Sequence, residues 1–195
     1  MYAYLQGKFT FKSPAQVYVD IQGIGYEVNI SLHTYAEIQD KAEGKLFIHM
    51  QVKEDAHTLF GFSNKDEKDM FLLLTSVSGV GAATARMMLS SLRPDEICAA
   101  ILQGNARLME SIKGIGKKTA ERLVLELKDK VAKHPASTGT GITVLNNTIE
   151  QDALTALTAL GISRIQAEQS VKKVLQADPG IVHLEALIKK ALKAI

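Results

Sequence analysis

The stretch SIKGIGKKTAERLV, Ser111 to Val124, sets two glycines one residue apart, follows them with two lysines and then runs into helix formers. The same outline stands upstream in SVSGVGAATARMML, Ser76 to Leu89. At an offset of 35 positions Ser76/Ser111, Gly79/Gly114, Gly81/Gly116, Thr84/Thr119 and Ala85/Ala120 are identical, and Val77/Ile112 and Val80/Ile115 are conservative partners. A repeat at that spacing is a duplicated supersecondary unit. Glycine reaches backbone angles that other residues resist and lets a second backbone come close. The helix that follows opens with amides lacking an intrahelical partner and with the positive end of its dipole, which together make a seat for phosphate. Lys117 and Lys118 add charge at that place, and Thr119 adds a hydroxyl. In a single copy, a glycine-bent turn followed by a solvated lysine pair would explain the residues equally well. Two copies at equivalent positions, each starting a helix, favour contact with a DNA backbone. Such contacts carry no base information, so structure-selective or non-specific binding is expected.

Charge across the 195 residues is uneven, although the net value is only +2. Positions 1–63 hold 5 basic and 7 acidic residues, 64–133 hold 12 and 9, and 148–195 hold 6 and 5. A polyanion should therefore prefer the middle of the chain. No apolar run is long enough to span a bilayer, and the start MYAYLQGKFTFK lacks the basic-then-apolar order of a signal peptide, which predicts a cytoplasmic protein. The one cysteine, Cys98, lies in the apolar run EICAAIL and reads as a buried small hydrophobe.

Outward from the repeat, the N-terminal side changes period. QVYVDI and YEVNI alternate apolar and polar residues, and GKFTFK, KLFIHMQVK and HTLFGF supply three more strands. With the break IQGIG and the short helical piece HTYAEI, positions 1–63 suit a small antiparallel barrel of the OB type. At Ser63 the pattern turns helical: SNKDEKDMFLLLTSV opens with a capping residue and first-turn acids, and 64–133 reads as a helical domain holding both repeats. The stretch 134–148 carries no Lys, Arg, Asp or Glu and no sustained periodicity, so it reads as a flexible linker. Positions 149–195 read as a small three-helix bundle broken at Gly161 and at Asp178-Pro179-Gly180.

These residues resemble the helix-hairpin-helix motif, and their order along the chain resembles the RuvA family of Holliday-junction-binding proteins. The MYAYLQGKF start, VKEDAHTLFGF, both hairpins, the uncharged linker and the helical tail all fall in that family's order. The hairpin alone is shared with ligases, glycosylases and nucleases; the ordered combination is specific. The resemblance implies a DNA-binding subunit without catalytic residues, metal or cofactor. It implies a homotetramer, with one or two tetramers on a four-way junction, that recruits the RuvB hexameric ATPase for branch migration and meets the RuvC resolvase, in recombination and repair. The DNA-binding positions it implies are Gly79, Val80, Gly81 and Arg86 in the first hairpin and Gly114, Ile115, Gly116, Lys117, Lys118 and Thr119 in the second. One departure stands out: the family's first hairpin often has a lysine after its second glycine, whereas this chain has Ala82 and Ala83. That seat must rely on backbone amides, helped by Arg86.

Glu54 and Asp55 fall at a turn between two strands, where an ordinary polar hairpin tip is the default. The resemblance implies instead an acidic pin that keeps DNA arms apart, weak per pair in salt but larger when four copies crowd together. A metal-dependent nuclease would need a second acidic cluster, and none is placed to complete a site. The tail resembles the family's third domain, which docks on RuvB, and the uncharged tether would raise local motor concentration. Leu160 and Ile162, flanking Gly161, are the partner-binding candidates. No GxxxxGK[ST] pattern is present, so an ATP site is not expected. Two alternatives stay open at this point: a hairpin-bearing repair nuclease or glycosylase, and an adaptor whose hairpins bind only protein.

Overall fold

The computed structural model describes residues 1–133, 148–178, 181 and 183–194. The chain divides into two units, Met1–Thr138 and Gly139–Ile195. In the first, β1 (Tyr4–Ser13), β2 (Gln16–Ile21) and β3 (Ile24–Ile30) lead through α1 (Leu32–Ile38) to β4 (Glu43–Val52) and β5 (His57–Phe62). The strands close into a barrel in the order β1-β2-β3-β5-β4, and β4 returns to β1. Alternation selects its filling: Val17, Val19, Val28, Ile30, Leu46 and Ile48 are at most 1% exposed.

One pairing departs from the antiparallel barrel expected above. β3 and β5 run parallel through Val28↔Leu59, Asn29↔Phe60 and Ile30↔Gly61. Parallel neighbours cannot be joined by a tight turn, and α1 with β4 forms the crossover between them. A second departure lies in β1, where Phe9 and Phe11 would share a face in a regular strand. The register shifts between them, so Phe9 points inward at 8% exposure while Phe11 turns out at 45% and lies 4.8 Å from the Tyr18 ring.

Beyond the barrel come α2 (Lys65–Thr75), α3 (Ala82–Ser91), α4 (Pro94–Leu102), α5 (Ala106–Glu110) and α6 (Lys117–Lys133). Asn64 is the cap that starts this run, its Oδ1 accepting the Glu67 amide at 2.8 Å. Although the chain changes from strand to helix here, its apolar core does not stop. Phe60 and Phe62 of β5 flank Phe71 of α2 at 5.1 and 5.0 Å, and the same cluster continues through Leu74, Met88, Ile97 and Leu123. Each such aromatic pair adds about 0.5–1.5 kcal/mol beyond burial, which ties the helices to the barrel wall. Cys98 lies within this cluster, and burial, then Asp95 and Asp66, push its thiol up, in keeping with a packing residue.

The second unit holds α7 (Thr148–Ala159), α8 (Arg164–Ala177) and α9 (Leu184–Lys193) around Ala153, Leu157, Ala167, Val171, Leu187 and Ala191. Gly161, at φ +90°, ends α7, and the Ile162 amide turns back to the Leu157 carbonyl at 3.1 Å. The stretch read as a linker lies outside the described residues except Thr148, which begins α7.

Candidate nucleic-acid interface

The two repeats build the same turn twice, α2 to α3 and α5 to α6. Gly79 and Gly114 both sit at φ +93°, a region that residues with a Cβ rarely enter. The Val80 amide donates to the Val77 carbonyl at 3.0 Å and the Ile115 amide to Ile112 at 3.1 Å. Ser76 and Ser111 hydroxyls donate back to Leu73 and Leu108 carbonyls, each at 2.7 Å. Val80 and Ile115 are each 5% exposed, so their side chains root the turns in the core and only their backbones remain for a ligand. Helical bonding then begins with Ala85 to Gly81 and Ala120 to Gly116, both 2.9 Å. Ahead of those bonds stand the amides of 82–84 and 117–119, which have no intrahelical acceptor and lie at the positive end of the helix dipole.

The two turns are neighbours. A Cβ placed on Gly79 would lie 3.8 Å from Thr119 Oγ1, so the first turn faces the start of α6. Arg122 of α6 donates to the Ser78 carbonyl at 3.3 Å, and Lys130 Nζ to Ser76 Oγ at 3.2 Å. Lys117 and Lys118 are exposed beside this junction, and Thr119 is half-buried. The structure thus brings Gly79, Val80, Gly81, Gly114, Ile115, Gly116 and Thr119 into one surface region. It can hold anions, because amides and ammonium groups meet there without a carboxylate in the turns.

Arg86 is placed differently from its sequence expectation. Its Nη1 donates to Asn29 Oδ1 at 2.8 Å and to the Ala15 carbonyl at 3.1 Å, both on the barrel. Sequence reasoning also took Glu67 as an ordinary first-turn acid, whereas it is fully buried and accepts hydroxyl donors from Ser31 and from Thr34, the latter at 2.7 Å. Burial raises its pKa, opposed by those two hydrogen bonds, by the charge of His33 and by the Ser63 backbone. Glu54 and Asp55 do form an exposed tip between β4 and β5, closed by the Lys53 amide on the Ala56 carbonyl at 2.8 Å. In the second unit Leu160 is 64% exposed, but Ile162 packs partly into that unit's core. Ile165, which sequence reasoning did not single out, is 70% exposed. Among the described residues no three His, Cys, Asp or Glu gather as a metal site, and no helix is long and apolar enough to cross a membrane.

Comparison with known proteins covers nearly the whole chain. Residues 1–61 match the family model described as the RuvA N-terminal domain, 71–129 the SAM-like helix-hairpin-helix tandem, and 148–195 the RuvA C-terminal domain. Among similar proteins, one from Cytophaga hutchinsonii is 45% identical over 197 residues, covering 99% of each chain. One from Christiangramia forsetii is 47% identical over 195 residues and all of both chains, and one from Flavobacterium psychrophilum is 47% identical over 193 residues and 99% of both. All three carry the name Holliday junction branch migration complex subunit RuvA.

Proposed function

The chain belongs to the RuvA family, and on that premise we propose that it binds four-way DNA junctions as a non-catalytic subunit of a branch-migration complex. The observation that carries the reading is the pair of adjacent hairpin turns with matching geometry. Each offers helix-start amides, at Ala82–Thr84 and at Lys117–Thr119, and the second adds two exposed lysines. Two neighbouring seats grip successive phosphates without reading bases, which suits a ligand recognised by shape.

Four copies meeting through their barrels would surround the crossover and bring four acidic tips together at its centre. Exposed Phe11 and Tyr18 support such self-association, since they give the outer barrel wall an apolar patch. Glu54 and Asp55 would then repel phosphates and hold the arms open. The third unit, with Leu160 and Ile165 exposed, would recruit and stimulate the RuvB ATPase, and RuvC would act on the held junction. A hairpin nuclease or glycosylase is not favoured by the family matches.

A gel-shift titration of a synthetic four-way junction against linear duplex of equal length, over a range of salt, tests the reading. Strong junction preference with steep salt dependence is expected. Equal affinity for both DNAs would reduce the hairpins to general DNA clamps.

A further inference from the structure

Six consecutive barrel positions, 29–34, receive side chains from both helices of the first hairpin. From α3, Arg86 Nη1 donates to Asn29 Oδ1 at 2.8 Å, and Ser90 Oγ accepts the Leu32 amide at 3.1 Å. From α2, the Glu67 carboxylate accepts the Ser31 hydroxyl on Oε1 and the Thr34 hydroxyl on Oε2. Each hydroxyl oxygen already accepts a backbone amide: Thr34 N–H on Ser31 Oγ, and Ser63 N–H on Thr34 Oγ1, both at 3.0 Å. Their own protons are therefore directed to the carboxylate. Ser31, Thr34 and Glu67 are all 0% exposed, so no water replaces a lost partner cheaply. The network has one good arrangement, and that arrangement sets α2 and α3 against α1. Arg86 takes only neutral acceptors there, an amide oxygen and a carbonyl, which give direction without cancelling its charge.

We propose that Arg86 and Glu67 are positioning residues: acting on the 29–34 segment, they fix the angle at which the first hairpin stands on the barrel, and so the direction in which both phosphate seats face relative to the acidic tip. The inference rests on the proposed junction binding, because a ligand whose arms leave in several directions registers such an angle. A linear duplex can follow one seat pair at any angle and does not. Arg86 thereby differs from Lys117 and Lys118, whose role is the phosphate itself.

The test is Arg86→Ala in the full chain, titrated against a four-way junction and a linear duplex across a salt series. Junction affinity should fall about tenfold, the scale of a lost hydrogen bond to a charged group, with duplex affinity and salt slope unmoved. A log–log salt slope shallower by roughly 0.9 on both DNAs would identify a phosphate contact and overturn the proposal, as would unchanged affinity for both. Glu67→Gln keeps an acceptor for one hydroxyl and nearly the same volume, and it should show the same selective loss at smaller size. Equal loss on both DNAs would mean that Glu67 only supports the fold. A second measurement needs no DNA: spin labels at Lys8→Cys and Lys128→Cys, in a Cys98→Ser background, report the distance from barrel to α6. Arg86→Ala should broaden that distribution, and an unchanged distribution would overturn the proposal. A parent chain without junction preference would sink the proposed function instead, while the label distances would still decide whether these residues hold the angle.

Discussion

The two hairpins share a backbone and differ in what surrounds it. In the first, the helix start reads Ala82-Ala83-Thr84, and its principal neighbours outside the helices are on the barrel, through Phe71, Glu67, Arg86 and Ser90. In the second, the start reads Lys117-Lys118-Thr119, and both lysines are exposed. Matching φ of +93° at Gly79 and Gly114 shows that the turn does not depend on the charge placed after it. The seat comes from glycine and a buried valine or isoleucine. Cationic side chains are an addition that one copy has and the other lacks, and anchoring is an addition distributed the other way.

That division can be broken most severely at the shared feature. Gly114→Val forces a β-branched residue to positive φ, costing at least about 1–2 kcal/mol of strain and closing the seat. Junction and duplex binding should both collapse in a gel shift, while circular dichroism retains the barrel signal; intact binding would remove the turn from the interface. Next, Lys117→Ala with Lys118→Ala should weaken binding to both DNAs by roughly ten- to a hundredfold near 0.1 M salt and flatten the salt slope by roughly 1.8. An unchanged slope would mean that the second hairpin does not touch phosphate. The converse graft, Ala82→Lys with Ala83→Lys, sharpens the comparison. If the first turn is a true but uncharged seat, affinity rises up to about tenfold and the slope steepens, and a flat response would show that the seat is not in reach of DNA.

Smaller effects are expected outside the turns. Glu54→Gln with Asp55→Asn should strengthen duplex binding by about two- to fivefold at low salt and so relax junction preference, since the removed repulsion is largely screened at higher salt. Preference that survives the exchange would dismiss the pin. Smallest is a pH effect at Glu67, where burial raises the folded pKa against the donors that hold the carboxylate. A raised acid pKa means the folded chain binds the proton more tightly than the unfolded one. That contribution is therefore full below the ordinary glutamate value and is lost as pH rises through the folded value. Denaturant melts across this window should show the parent losing stability with rising pH more steeply than Glu67→Gln; parallel curves would show that burial leaves the group unperturbed.

The seats were legible in the sequence because a duplicated motif announces itself, and because glycine at a fixed place before a helix has few other uses. Strand alternation likewise named Val17, Val19, Val28 and Ile30 as barrel filling. What sequence could not supply were long-range addresses. Arg86 reaches Ala15 across 71 positions and Glu67 reaches Ser31 across 36, and nothing local distinguishes them from a helix-face arginine and a first-turn acid. Phe11 failed for another reason: one inserted residue in β1 reverses the face of everything after it, and alternation alone cannot date the reversal. Ile162 shows the limit of a flanking rule, since the turn at Gly161 exposes the residue before it and folds the one after it inward.

The closed barrel has a consequence for how copies of this chain can meet. Every strand has two hydrogen-bonded neighbours, so no row of bare amides is left along an edge. A second copy has nowhere to add a strand, and a growing ribbon cannot start. Contact between barrels must be made by side chains on curved walls, whose geometry turns back on itself instead of extending. An assembly made that way has a fixed number of members and comes apart into intact subunits.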